Sequence, residues 1–146
     1  MAKNTEREIV QHLDQVFANL LASLKDLARS AGPDQNILRS AAVIEQMCGG
    51  LVANLWDDPF EWTLPETLSN TDRIVEYLSE VDLARERAFN SIRDDGALTK
   101  LISTPGGERQ LVSLLLETLI KSSDYHGRAV TTTKILSSEG TPRFII

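Results

Sequence analysis

Apolar side chains return at steps of three and four along most of this chain, the spacing that gathers them on one face of a helix. The first such segment carries Ile9, Leu13, Val16, Leu20 and Leu24, with Phe17, Leu21 and Ala28 widening the stripe. It predicts an amphipathic helix over residues 5–30, stopped by Gly32-Pro33, with Asp34 offering a capping oxygen to the next helix. The second segment, Ile37, Ala41, Ile44, Cys48, Leu51 and Leu55, predicts a helix that keeps one face on a neighbour. Gly49-Gly50 lies inside it at a propensity cost of about 1 kcal/mol per glycine. Either close packing or a local kink accounts for the pair.

Over residues 57–68 the period breaks. Asp57-Asp58-Pro59-Phe60-Glu61-Trp62-Thr63-Leu64-Pro65 brings prolines and aromatics together, which predicts a structured, packed connection between helices two and three. Ser69-Asn70-Thr71 supplies capping oxygens for the third helix. Its stripe is Ile74, Leu78, Val81, Ala84, Ala88 and Ile92, and its solvated face holds Glu76, Glu80, Asp82, Arg85, Glu86 and Arg87. Asp94-Asp95-Gly96 and Thr104-Pro105-Gly106-Gly107 punctuate the next connection, where Leu98, Leu101 and Ile102 predict one short helical turn. The fourth helix is expected over residues 108–137, ended by Gly140-Thr141-Pro142. No internal repeat, low-complexity run or strand-like alternation stands out. Four long helices on short to moderate connections predict an all-α four-helix bundle, one domain over residues 1–146. The heptad-like spacing disfavours an orthogonal, globin-like packing.

Composition narrows the function classes. A chain of 146 residues can bury roughly 70% of its unfolded surface and needs no staples. The net charge of −6 and pI near 4.9 repel phosphate backbones and anionic membranes, so neither nucleic acid nor a membrane is an expected partner. No apolar run approaches the ~20 residues of a membrane span. The charged start, Met1-Ala2-Lys3-Asn4-Thr5-Glu6-Arg7-Glu8, does not read as a signal peptide. The single cysteine, Cys48, permits no intrachain disulfide, and a cytoplasmic location is expected.

The fourth helix departs from a plain amphipathic pattern. Its apolar run Leu111-Val112-Ser113-Leu114-Leu115-Leu116 gives way to polar residues on every face. One stripe reads Leu114, Thr118, Lys121, Tyr125, Arg128 and Thr132. Facing inward it would line a polar cleft; facing outward it would be a solvated surface, and periodicity does not choose.

From Phe60 onward the chain resembles the DinB-like, or YfiT-like, superfamily of four-helix bundles. The resemblance is carried by Phe60-Glu61-Trp62 with Pro65, Ile74-Val75-Glu76-Tyr77-Leu78 leading to Ala84-Arg85, and Thr104-Pro105-Gly106-Gly107-Glu108-Arg109. It continues through Leu114-Leu115-Leu116, Gly127, Val130-Thr131, Lys134-Ile135-Leu136, Gly140 and Pro142. Metal-binding members carry one histidine on the second helix and two, one turn apart, on the fourth, just before an Arg-Gly-Gln stretch. Laid on this chain without gaps, Gly127 takes the glycine and Arg128 the glutamine. The fourth-helix histidine positions fall on Lys121 and Tyr125, and the second-helix position falls among Val43, Ile44, Glu45 and Gln46. An ammonium and a phenol titrating near pH 10 are poor ligands. The chain has only His12 and His126, so three histidine ligands cannot be found in any register.

The resemblance therefore implies a DinB-like bundle with a degenerate metal site, homodimeric like many relatives, non-catalytic or divergent, with no cofactor. Lys121, Tyr125 and Arg128 would line a cleft for a small anionic or polar ligand. The alternative is a metal-dependent thiol S-transferase of bacillithiol or mycothiol type, or a hydrolase. It would hold a divalent metal such as zinc or nickel at an atypical site around His126, with Ser122 one turn earlier and Asp124, Glu117 or Glu45 completing it. A third reading has Lys121, Tyr125 and Arg128 satisfied by acidic neighbours on helix three, such as Glu76 or Glu80. Among the remaining candidates, His12 is expected on a helix flank, although Glu8-Ile9-Val10-Gln11-His12-Leu13 resembles the superfamily's second-helix metal stretch. Cys48 is expected to be buried and inert. Gly106-Gly107-Glu108-Arg109 is expected as a turn and cap, and Trp56 and Trp62 as lid or interface packing.

Overall fold

The computed structural model describes residues 6–59 and 69–137. Four long helices dominate it: α1 (Glu8–Ala31), α2 (Gln35–Ala53), α3 (Thr71–Asn90) and α4 (Leu111–Ser137). The expected signals bound them. Gly32 closes α1, and Asp34 caps α2 by accepting from the Asn36 amide at 2.8 Å. Asn70 caps α3 by accepting from the amides of Asp72 and Arg73. Residues 60–68 of the expected connection, Trp62 among them, and the Gly140-Thr141-Pro142 stop lie outside the described residues. The helices form a ring in the order α1, α3, α2, α4, so each packs mainly on two neighbours. Phe17 and Phe89 meet inside it with ring centroids 5.6 Å apart.

The buried line of α1 is rotated from the expected one. It runs Val10, Phe17, Leu21, Leu24 and Ala28, while Ile9 is 55% exposed and Leu13 and Leu20 are half-buried. The residues expected only to widen the stripe are its centre. Asp14 occupies the position on this line between Val10 and Phe17. On α3 the stripe holds at Ile74, Leu78, Val81 and Ala88, with Ile92 buried just past the helix end, but Arg85 completes it and Ala84 stands aside. Arg85 was expected on the solvated face; steps of four and three from Val81 to Ala88 pass through it, and it is 8% exposed. Its guanidinium binds Asp14 on α1 and Asp82, the latter at 2.8 Å.

Two connections also differ. After Ala53 the chain turns at Asn54 (φ 57°), whose amide donates to Gly50, while the Leu55 amide donates to Gly49. The turn carries Leu55 off the core stripe to 61% exposure and folds Trp56 back on the helix. A Cβ on Gly50 would stand 2.3 Å from the indole, so this glycine serves close packing against the chain's own next turn. Between α3 and α4, a 3-10 helix (Asp95–Thr99) anchored by buried Leu98 leads into an antiparallel hairpin of β1 (Leu101–Thr104) and β2 (Gly107–Gln110). The expected helical turn at Leu101 and Ile102, and the expected cap at Gly106-Gly107-Glu108-Arg109, are therefore strand and hairpin turn. The Leu111 amide donates to the Lys100 carbonyl at 2.9 Å, so the hairpin hands directly into α4. Among the described residues no helix is long and apolar enough to cross a membrane.

Candidate functional site

The hydrogen-bonding side chains that face the interior of α4 are Thr118, Ser122 and His126. Ser122 is fully buried against Ser40 of α2, and each hydroxyl donates to the other's carbonyl at 2.8–2.9 Å. Only short side chains let two helices approach closely enough for that exchange. One turn further, His126 Nε2 lies 2.7 Å from Ser23 Oγ of α1. Burial pulls the imidazole below its usual pKa and favours its neutral form. Ser122 and His126 lie one position along from Lys121 and Tyr125, so the stripe singled out by spacing faces inward at Leu114 and Thr118 but passes to the flank of α4 at Lys121, Tyr125 and Arg128.

Lys121 and Tyr125 border a cleft between α2 and α4. One lobe, of about 380 Å³, is closed at its end by the hairpin tip and by Trp56; Val43, Met47 and Leu114 give it apolar walls, and Gln46, Arg109 and Glu117 polar ones. A second lobe, of about 340 Å³, is bounded by Arg39, Ala42, Asp58, Asp124 and Tyr125. Val43, Gln46 and Lys121 belong to both. Gln46 donates to the Trp56 carbonyl at 2.8 Å and the indole N–H donates to Asn54, which together fix the Trp56 wall. Thr104, Pro105 and Arg109 were not anticipated here, because the hairpin that delivers them was not; Trp56, expected as lid or interface packing, forms one wall.

The ion pairs decide which charges the cleft can offer. Arg109 grips Glu117 with two parallel hydrogen bonds of 3.0 and 2.8 Å, and that grip holds the Glu117 carboxyl below its ordinary pKa. Lys121 adds a looser contact to the same carboxylate at 3.4 Å and is 62% exposed at its side chain. Arg128 faces a separate shallow depression, pairs with Asp124 at 2.9 Å and rests over the Tyr125 ring at 5.3 Å. The acidic partners are thus on α4 itself, one turn away, and not Glu76 or Glu80 of helix three.

A three-histidine metal centre does not fit these residues. Among the described residues no group of three or more His, Cys, Asp or Glu is assembled. The three carboxylates that would complete a site around His126 point elsewhere: Asp124 to Arg128, Glu117 to Arg109, and Glu45 to the Tyr77 hydroxyl at 2.6 Å. His12 is exposed on α1. Cys48 is buried, and burial pushes its thiol up to about 12, which leaves it protonated and unreactive. Comparison with known proteins gives no matching family model, no matching curated protein and no matching solved structure.

Proposed function

We propose that this chain is a DinB-like four-helix bundle whose metal site has degenerated, and that its α2–α4 cleft binds a small polar or anionic molecule without catalysing a reaction. The carrying observation is the position and poor pairing of Lys121. Its ammonium stands where the two lobes meet, and its counter-charge, Glu117, is already held bidentately by Arg109. An incoming carboxylate or phosphate can take Lys121 without leaving Glu117 unpaired. Nearby Val43, Met47, Trp56 and Leu114 suit an apolar body attached to that anion. Arg128 is left out of the binding role, since it faces another depression and is satisfied by Asp124.

Thermal unfolding in phosphate and in small aliphatic and aromatic carboxylates, against chloride at equal ionic strength, tests this. Binding to the folded state alone raises the midpoint by mass action. The wild type and Arg128→Ala should both show the rise. Lys121→Ala should lose about 1.5–3 kcal/mol of binding free energy, roughly ten- to a hundredfold in Kd. An absent shift in the wild type, or a shift that survives Lys121→Ala, sinks the reading.

A further inference from the structure

Among the described residues, the cleft between α2 and α4 is lined by cations and carboxylates in equal number: Arg39, Arg109 and Lys121 against Asp58, Glu117 and Asp124. The two lobes share them unevenly. In the first, Arg109 and Glu117 close on one another and leave apolar walls of Val43, Met47, Trp56 and Leu114. Both remaining carboxylates border the second lobe. Asp58 is half-buried there and comes from the segment after α2, while Asp124 comes from α4. Asp124 stands one turn beyond Lys121, the spacing at which helical side chains are neighbours. Arg128 holds its Oδ2 at 2.9 Å, and an ionised carboxylate has two oxygens with which to accept further donors.

We propose, resting on the cleft as a binding site for small polar or anionic molecules, that its ligand is a free α-amino acid with a large apolar or aromatic side chain. The carboxylate lies on Lys121, where the lobes meet. The ammonium enters the second lobe toward Asp124 and Asp58, and the side chain fills the first lobe against Met47 and Trp56. An α-amino acid carries its two charges on one carbon, which suits a lysine and an aspartate one helical turn apart. Charge favours the same class. A bare anion approaches a chain of net charge −6 and meets two carboxylates beside its lysine. A zwitterion has no net charge, and its ammonium turns those carboxylates from repulsion to attraction.

Isothermal titration calorimetry tests it with matched probes. L-Phenylalanine and L-leucine are compared with phenylpropionate and isocaproate, the same skeletons without the ammonium. At least one amino acid should bind about tenfold tighter than its matched acid, the worth of one hydrogen bond between charged groups. Asp58→Asn and Asp124→Asn should each weaken the amino acid several-fold and leave the matched acid as tight as before or tighter. Arg128→Ala, which removes the partner of Asp124 but keeps its charge, should bind the amino acid at least as tightly as the wild type. Acids that bind as well as their amino acids, aspartate variants that weaken both alike, or an Arg128→Ala loss equal to that of Asp124→Asn overturn the zwitterion and leave the anion-binding reading standing. Binding of none of the four probes overturns both.

Discussion

Arg85 is 8% exposed on a helix face that is otherwise Ile74, Leu78, Val81 and Ala88. Burial works against its charge, but hydrogen bonds to Asp82 and Asp14 outweigh burial and strengthen its hold on its proton. Asp14 stands on the buried line of α1, so the pair bridges α1 and α3 within the core. Removing one member of such a pair leaves the other charge uncompensated, at about 3–5 kcal/mol when burial is complete. Asp82 still contacts the guanidinium and Asp14 is a third exposed, so Asp14→Ala should cost less, roughly 2–3 kcal/mol. Replacing both, as Asp14→Leu with Arg85→Met, should restore most of that loss, and urea denaturation of the three proteins measures it. A double variant as unstable as the single one would show that the ion pair is not what holds these positions. Sequence could have found Arg85, since it keeps the step of four and three; assigning charged residues to the outer face by default hid it. Asp14 was hidden the same way, by centring the α1 stripe on Leu13 and Val16.

At one end of the bundle, α1 and α3 cap one another. α1 has no side-chain cap of its own at Arg7. Asp95, from the 3-10 helix that follows α3, accepts the free amides of Ile9 and Val10 at 3.1 and 2.9 Å. In return Arg7 donates to the Phe89 and Ile92 carbonyls at the end of α3, a cation at a helix C-terminus. Each charge thus serves the end of a helix that is distant in sequence. Asp95→Ala should destabilise by about 1–2 kcal/mol, the usual worth of a lost N-cap, and Asp95→Asn by less, read from chemical denaturation midpoints. Equal stability of Asp95→Ala and wild type would mean that water caps α1 as well. The local caps, Asp34 and Asn70, were legible because each lies next to its helix. This one was not, because an N-cap supplied from about eighty residues away leaves no local pattern. The hairpin was missed for a related reason. Its strands are four residues each, and of β1 only Ile102 is an apolar residue turned inward, so the alternation is too short to register. Pro105-Gly106 between β-branched Ile102 and Thr104 and the polar β2 was the available signal.

For the whole molecule, spacing was enough to give four helices and most of the core, because buried apolar stripes are what the ring of helices requires. It could not fix which flank of α4 faces inward, because that helix mixes polar residues around its circumference and a rotation of one position exchanges Lys121, Tyr125 and Arg128 for Ser122 and His126. The inward set ties α4 to both neighbours, through Ser40 on α2 and Ser23 on α1. This gives the assembled fold a dependence on pH. Burial lowers the folded pKa of His126 from its ordinary 6.5, so the unfolded chain takes up that proton first as pH falls. The contribution is fully present above about pH 6.5 and declines from there through the lower folded value. Glu117 acts in the same direction but in a separate window. Its carboxyl is held below an ordinary 4.5 by Arg109, so its stabilisation is lost only under more acid conditions. Within the upper window the slope of unfolding free energy against pH should belong largely to His126. His126→Gln, which keeps a hydrogen-bonding group near Ser23 but cannot titrate, should flatten that slope while leaving the acid limb associated with Glu117 in place. Circular dichroism melts of the two proteins across pH 5 to 7 measure the difference. An unchanged slope in His126→Gln would show that the contact with Ser23 tolerates the protonated ring, and that α4 is held against α1 by its apolar neighbours alone.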